Sequence, residues 1–460
     1  MLQTLLGRRS FKALVIAVGV VLALPMSQAA GQAAASAPEA SSAAAGQPPE
    51  VVATEQLTVP GLEADANFGA SVAIHGNLAV VGAPLDDKEV AGGQTQTDAG
   101  SAYVFRLSGG TWSLEAKLIG TDTAAGDQFG KAVDIYSGTF THVVVGAPFD
   151  DNFAGVDAGA AYVFSAQGTT WSQVRKLDIG HNRGTNDQFG SAVAIHRSDA
   201  LIGVPLDDTP DPGGLSQSGS APAFYRPTGW GLRTSLTAGA QAGNFEFFGT
   251  AVDTAFLTAV VGAPGDDGKG AAYVFVRPDD ATSAWTRQQR LTSATEASFG
   301  PSFGQAVAVG GDTIVVVEPL RVPDFFGLGY VRFYSRSGAS WQETNSLIRN
   351  AEGFGHSVAI DGSAPLGRES VVLGSPRETI CTAPTVCGSQ AGWVYLYRKS
   401  PGSPLSFTTR IRASLWGQGF HFGWDVDVTS SGTGDTVLVG MPHVNEFGVG
   451  SGKAFVVTVP

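Results

Sequence analysis

Short apolar runs separated by Gly, Pro and Asp recur along the whole chain and predict many short strands. Seven Phe-Gly pairs mark the recurrence, at intervals of roughly 50 to 70 residues. A valine follows each Phe by four residues, and Ile, Val or once Thr follows that valine by two. Such even spacing places these side chains on one face of a strand. The phenylalanines of the pairs are Phe68, Phe129, Phe189, Phe248, Phe303, Phe354 and Phe422.

A second strand in each copy ends at a proline, usually within Gly-Ala-Pro. Because proline has no amide hydrogen to donate, the strand is expected to stop there. In the fifth copy the motif is reduced to Val317-Glu318-Pro319, so that copy is the most divergent. The prolines are Pro84, Pro148, Pro205, Pro264, Pro319, Pro376 and Pro442.

A third strand, often Tyr-Val-Phe, and a fourth strand complete each copy. In five copies the fourth strand has a Trp six residues before a Leu, with polar residues between them, as in an outermost strand. The first strand is nearly uncharged, which suits the crowded central axis of a ring of blades, so we expect it to be the innermost strand. The pattern therefore predicts an all-β, seven-bladed β-propeller of four-stranded antiparallel blades. The tryptophans, interpreted as packing residues, are Trp112, Trp171, Trp230, Trp285 and Trp341.

The seventh copy ends at Pro460 after its third strand. The segment Val51 to Leu57, ahead of the first Phe-Gly pair, has the spacing of the missing fourth strand. We expect this N-terminal strand to complete the last blade, which closes the ring and leaves no unpaired edge.

The Phe-Gly start and Gly-Ala-Pro stop resemble the FG-GAP repeat of bacterial exported proteins and of the integrin alpha N-terminal propeller. The resemblance covers residues 51–460 and implies a ligand-binding or adhesive platform, with calcium in some members. Calcium loops of that family carry Asp at alternate positions, which suits oxygen coordination. The corresponding connections here, such as His75-Gly76-Asn77, lack those ligands, so the family's calcium sites do not transfer by motif.

The chain divides into three regions. Residues 1–29, with Arg8, Arg9 and an apolar run, have the features of a signal peptide, by either the general or the twin-arginine route. Residues 30–50 are mostly Ala, Ser, Gly, Pro and Gln and predict a disordered linker. Residues 51–460 form the propeller. An exported bacterial protein, periplasmic, cell-surface or secreted, is expected.

Composition excludes some partners. The net charge is −13, which disfavours binding to nucleic acid because phosphate contacts need clustered Lys and Arg. No segment after the leader is long and apolar enough to predict a membrane span. The two cysteines, Cys381 and Cys387, are spaced for a small disulfide loop in an oxidising compartment, and a metal site is the weaker interpretation.

Paired aspartates follow the stop proline in the first four repeats, on the rim that collects the 2-to-3 and 4-to-1 connections of the blades. The carboxylates predict a surface for a cation or a basic ligand, with Asp98, Asp127, Asp157 and Asp187 nearby. The same residues are also typical of turns, because Asp bonds its own backbone. In repeats five to seven the matching loops carry Arg321, Arg377 and His443. The paired residues are Asp86, Asp87, Asp150, Asp151, Asp207, Asp208, Asp266 and Asp267.

Other candidate chemistry is sparse. Trp416 lies in a Gly- and aromatic-rich loop and is the candidate for an exposed binding aromatic. The seven histidines are scattered, with His356 and His421 beside Phe-Gly pairs, which favours packing over catalysis. Gly450-Ser451-Gly452-Lys453 lacks the rest of a phosphate-binding loop and is interpreted as a turn.

These observations favour a non-catalytic exported binding or adhesion module that uses the 2-to-3 and 4-to-1 rim. Its expected partner is an extracellular or cell-surface protein or glycan, with calcium as the one cofactor that the resemblance suggests. Two alternatives remain, a carbohydrate-active enzyme on the propeller scaffold and a structural component of a cell-surface assembly. Fold alone does not choose among them.

Overall fold

A computed structural model describes the propeller region. The described residues are 49–90, 94–178, 184–208, 215–278, 283–293, 303–322, 325–351, 353–362, 368–383, 386–400, 403–415, 417–444 and 450–460. The predicted signal peptide, most of the predicted linker and Trp416 lie outside them. No helix in this part of the chain has the length and apolar character needed to cross a bilayer.

Seven blades of four antiparallel strands confirm the predicted propeller, one of them extended by a fifth strand, and within each blade the strands pair in order from first to fourth. The first strands are Ser71–His75, Ala132–Ser137, Ala192–His196, Ala251–Ala255, Ala306–Gly310, Val358–Asp361 and Val426–Ser431. The second strands are Leu78–Ala83, Thr141–Ala147, Asp199–Gly203, Thr258–Ala263, Thr313–Val322, Glu369–Ser375 and Gly434–Met441. The third strands are Ser101–Ser108, Ala160–Gln167, Ala221–Tyr225, Ala271–Val276, Phe325–Ser337, Trp393–Lys399 and Lys453–Val459. The fourth strands of blades one to six are Thr111–Leu118, Thr170–Leu177, Gly231–Leu236, Thr286–Leu291, Ser340–Asn350 and Ser406–Ala413.

Two small hairpins extend from 2-to-3 connections, one in blade one and one in blade six. The first pairs Lys88–Val90 with Gln94–Gln96, and the second pairs Ile380–Ala383 with Val386–Gly388. A disulfide joins Cys381 and Cys387 across the second hairpin. Within the described ranges, short 3-10 turns span Arg226–Thr228, Gly239–Gln241 and Asp266–Gly268.

The Phe-Gly and Gly-Ala-Pro motifs recur because they form the contact between successive blades. All seven phenylalanine rings are buried. The glycine of each pair sits where two backbones meet: Gly190 has φ of +94°, and a Cβ on Gly146 would lie 2.0 Å from the Gly190 carbonyl oxygen. In blade five Val317 takes the place of the first motif glycine and its side chain faces Gly355 of blade six. The motif is thus a packing requirement.

The N-terminal strand closes the ring, as predicted, but it divides between two blades. Glu55–Leu57 pairs antiparallel with Lys453–Val459 and supplies the fourth strand of blade seven. Glu50–Ala53 instead pairs parallel with Ser406–Ala413 and adds a fifth strand to blade six. The side chains of Ala53 and Leu57 are both buried. The even spacing of the segment had indicated one continuous strand.

The repeated tryptophans pack within and between blades, which confirms their interpretation. Trp230, Trp285 and Trp341 are buried. Trp112 and Trp171 are partly exposed and lie against the core clusters of blades one and two. None of them forms an open aromatic platform of the kind that binds sugars.

Candidate functional site

The first aspartate of each rim pair is buried and hydrogen-bonded inside its own blade. Asp150 is 1% exposed, accepts a hydrogen bond from the Tyr162 hydroxyl at 2.7 Å and pairs with Lys176 Nζ at 2.9 Å. The tyrosine comes from the third strand and the lysine from the fourth, so the carboxylate ties the connection to both. Asp86, Asp207 and Asp266 are buried in the same way, with partners that include Tyr103, Ser220 and Tyr273 respectively.

The second aspartates organise the connections that follow. Asp87 Oδ1 accepts the Asp98 N–H at 2.9 Å, and Asp151 Oδ1 accepts the Asp157 N–H at 2.9 Å. Both donors have φ near +55°, a conformation that non-glycine residues rarely adopt unless the surroundings hold it. These bonds support the turn interpretation. The buried first aspartates are therefore unsuited to ligand contact, which leaves Asp87, Asp151, Asp208 and Asp267 as the rim carboxylates that face solvent in whole or part.

A third acidic residue lies near the aspartate pairs of several repeats. It was named from the sequence in two repeats, as Asp127 and Asp187, but Glu246 was missed. Asp127, Asp187 and Glu246 each lie two residues before a Phe-Gly phenylalanine. Burial, then the neighbouring Asp266 and Asp267, raise the pKa of Glu246 to about 7. Burial is also the main reason that the pKa of Asp127 rises to about 6. The acidic half of this rim therefore carries less charge at neutral pH than its composition indicates.

An axial channel of ≈ 500 Å³ runs between the first strands. The expectation that these strands are nearly uncharged was wrong, because Asp134, Asp253, Asp425 and Asp427 line the channel. The spacing of the valines correctly placed them on one face of the strand. The intervening residues lie on the other face and are Ala in some blades and Asp in others. Only the closed ring brings these carboxylates around one axis.

These aspartates link neighbouring first strands through side-chain to backbone hydrogen bonds. Between blades seven and one, Asp425 Oδ2 accepts the Val72 N–H at 2.8 Å, and Asp427 Oδ2 accepts the Ile74 N–H at 2.6 Å. Thr429 Oγ1 accepts the Gly76 N–H at 3.2 Å. We call this set the axial ladder. Amides on the free edge of a first strand thereby gain acceptors.

Single carboxylates make the same contact at three other junctions. Asp134 accepts the N–H of Ile195 at 2.6 Å, and Asp253 accepts that of Val309 at 2.6 Å. Asp361 accepts the Ser430 N–H at 2.5 Å.

Burial raises the pKa of Asp134, Asp253, Asp425 and Asp427, the four carboxyl groups that form the waist of the channel. The pKa of Asp134 rises to about 8, mainly through burial and further through repulsion by Asp253 and Asp425, although two backbone N–H bonds oppose the shift. The pKa values of Asp253 and Asp425 rise to about 6 for the same main reason. The pKa of Asp427 lies well above its ordinary value. The waist is therefore a group of proton-binding carboxyls that titrate with each other.

The two mouths of the channel differ in chemistry. At the mouth formed by the 1-to-2 hairpins, an aromatic arc spans blades one to four. Successive ring centres lie 5.0 Å apart along the series His75, Tyr136, His196 and Phe256. The opposite mouth, on the rim of the 2-to-3 and 4-to-1 connections, is lined by residues that include Lys131, His356 and Trp424.

Histidines are not as dispersed as the sequence indicated. Around Trp424 the imidazoles of His356, His421 and His443 come together, with ring centres 4.5 to 5.8 Å from the indole. A signal was available, because a residue before Phe-Gly and a residue after the stop proline of the same repeat must be neighbours. Within the described ranges, no group of three or more His, Cys, Asp or Glu side chains is arranged to hold a metal ion.

The fold and these contacts define a closed seven-bladed propeller whose blades interlock through a Phe-Gly and Gly-x-Pro repeat. The FG-GAP repeat family model matches four segments, residues 52–105, 112–164, 171–224 and 230–275. The remaining three blades carry the same Phe-Gly pairs at Phe303, Phe354 and Phe422. Residues 52–275 therefore carry four FG-GAP repeats, and this fold supports a binding or adhesion-type module at the general level.

Other comparisons add little. Among curated proteins no sequence match was found. The crystal structure of Sqt1 from Saccharomyces cerevisiae aligns with 90% of this chain and 99% of its own at 10% identity, with a TM-score of 0.43. A likeness at that level carries no functional information.

Proposed function

We propose that this protein is an exported, non-catalytic binding or adhesion module whose ligand contacts the rim of the 2-to-3 and 4-to-1 connections. The observation that carries the proposal is an exposed apolar anchor within the acidic part of that rim. Phe153 is fully exposed, at 101% of its reference area, in the 2-to-3 connection of blade two. Val156 in the same connection is more than half exposed, and so is Phe245 in the 4-to-1 connection between blades three and four.

Binding residues lie disproportionately on loops that a rigid scaffold positions, and Phe153 is such a residue. Phe153 lies between Asp151 and Asp157, whose backbone is fixed by the Asp151 to Asp157 hydrogen bond and by the pairing of Asn152 with Gly155. The anchor is therefore presented by an ordered loop, which lowers the entropic cost of binding. An aromatic side chain flanked by carboxylates favours a protein ligand with an apolar pocket and basic residues around it.

The binding experiment uses the purified full chain on an array of extracellular proteins and glycans, with calcium and again with chelator. For the protein that binds best, Phe153→Ala should weaken binding by about tenfold or more, the loss expected for a buried aromatic anchor. Leu232→Ala is the matched control, because Leu232 is an exposed apolar residue on the fourth strand of blade three. Equal affinity of both variants and wild type would overturn the rim as the binding surface.

Calcium assistance and the enzyme alternative have distinct outcomes in the same experiment. Binding that disappears in chelator would support a metal-assisted rim. Sugar turnover would instead support the carbohydrate-active enzyme, for which the axial carboxyl groups are the candidate acids. Against that alternative, Asp134, Asp253, Asp425 and Asp427 each accept two backbone N–H groups, an arrangement suited to holding strands together.

A further inference from the structure

Two histidines of blade seven meet at the mouth of the axial channel that Lys131, His356 and Trp424 line. His421 comes directly before the Phe-Gly pair, and His443 comes directly after the stop proline. The Gly423 N–H donates to the Gly440 carbonyl at 3.1 Å, which joins the two halves of the motif. As a result the two Nδ1 atoms lie 3.2 Å apart.

The orientation of the rings distinguishes two explanations for this contact. A straight N–H···N hydrogen bond of that length would place the ring centres about 5.5 Å apart, because each centre lies on the line through the two nitrogens. The observed separation of ring centres is 4.9 Å, so the contact is bent and the two Nδ1 atoms do not both point straight at each other.

A bent arrangement of two imidazole nitrogens at this distance is compatible with a shared metal ion. With metal–nitrogen bonds of about 2.0 to 2.1 Å and tetrahedral angles, the nitrogens of two ligands lie about 3.3 Å apart and their ring centres about 5 Å apart. Both observed distances, 3.2 and 4.9 Å, agree with that geometry.

The neighbouring groups hold the pair in place. The ring of Trp424 packs across His443 with centres 4.7 Å apart, and its backbone N–H donates to the His421 carbonyl at 3.1 Å. His356 donates its Nδ1–H to the Trp424 carbonyl oxygen at 2.8 Å. Restraints of this kind around a ligand residue orient its ring and favour binding.

The charges facing the pair are positive. Arg377 acts on His421, and Lys131 acts on His443. These cations oppose the charge of a metal ion, and they attract anions to its open coordination positions.

We propose that His421 and His443 bind one divalent transition-metal ion through their Nδ1 atoms at this mouth of the channel. Imidazole ligands select ions of the Zn²⁺, Cu²⁺ and Ni²⁺ class over Ca²⁺ and Mg²⁺. Two protein ligands leave the remaining positions to water or to an anionic group of a binding partner. The site is independent of the Phe153 anchor.

Metal alone is the probe. Titration of Zn²⁺ and Cu²⁺ into the full chain should show one equivalent bound, and the electron paramagnetic resonance spectrum of the Cu²⁺ form should show coupling to two nitrogens. His443→Gln keeps a neutral hydrogen-bonding side chain but removes the imidazole ligand, so it should weaken binding by about tenfold or more. His421→Ala should do the same, and the double variant should not bind.

His196→Ala is the matched control, since His196 lies in the aromatic arc of the opposite mouth and should leave affinity within about twofold. Wild type that binds no Zn²⁺ or Cu²⁺, or that binds them equally well after both substitutions, would overturn the site. The nitrogen couplings of the wild-type Cu²⁺ form test it even where a variant folds poorly.

Discussion

Asp134 provides a direct test of the axial carboxyl groups, because its pKa of about 8 is far above the ordinary value of 3.8. Between those two values the folded protein holds about one proton at this site that the unfolded chain has released. Stability should therefore fall as pH rises, by about 1.4 kcal/mol per pH unit for this single group. The stabilising proton is fully present below the unfolded pKa and is lost as pH rises through the folded pKa.

The variant Asp134→Asn removes that proton linkage and retains one acceptor oxygen. At pH 5 the variant should be less stable than wild type by about 1 kcal/mol, because the second backbone N–H of the pair Ile135 and Ile195 loses its acceptor. At about 1.4 kcal/mol per pH unit this difference should vanish by about pH 6, and above that the variant should be the more stable, because only wild type must hold a proton that its unfolded chain releases.

The assay is thermal or urea unfolding of both proteins at half-unit steps from pH 5 to pH 9. Asp312→Asn is the control, because the Asp312 side chain is 77% exposed. Parallel curves for wild type and Asp134→Asn would refute the reasoning. A wild type that gains on the variant with rising pH would show that Asp134 is ionised and that its two N–H bonds outweigh desolvation.

Three further predictions test the rim aspartates, the contact between blades and the closure of the ring. Asp150→Ala should cost about 1 to 3 kcal/mol because it removes the buried acceptor of the Tyr162 hydroxyl and of Lys176 and leaves both with Asp122, whereas Asp151→Ala should cost under about 1 kcal/mol; equal losses in urea unfolding would contradict the division between buried and exposed members. Gly146→Ala, whose Cβ would meet a carbonyl oxygen at 2.0 Å, should fold poorly, while Gly168→Ala, with open space, should lose only about 1 kcal/mol in the same assay. Deletion of residues 50–57 should lower the melting temperature markedly, and a melt within about two degrees of the parent would disprove closure by this strand.

Much of the fold could be predicted because one packing problem is solved seven times. Each repeat must bring two glycine backbones and one phenylalanine ring together, so the motif survives in blade after blade even where the loops differ. Blade five illustrates the tolerance of this solution, since Val317 replaces a glycine and the blade still forms. The rule fails for Glu50–Ala53, because nothing in its spacing reveals that the chain crosses from blade six to blade seven.

The candidate sites were harder to predict because they are formed between repeats. The rim aspartates are regular, and that regularity reflects internal bonds to neighbours such as Tyr162 more than a ligand. The axial carboxyls and the pair His421 and His443 break the repeat, and irregular residues acquire meaning only when the ring places them together. Phe153 carried no sequence signal, because its exposure depends on how its loop folds.

Closure of the ring explains why the axial ladder is concentrated between blades seven and one. The strand that completes blade seven, Glu55–Leu57, has only three residues and pairs with only one neighbour in its sheet. Asp425, Asp427 and Thr429 add three bonds on the axial side of the same closure, between the first strands of the last and first blades. The short outer strand therefore restrains the two ends of the propeller far from the axis, and the axial ladder restrains them next to the axis. A single short strand would act as a hinge between these ends. Raised pKa values at Asp425 and Asp427 make this inner restraint the part of the closure that responds to pH.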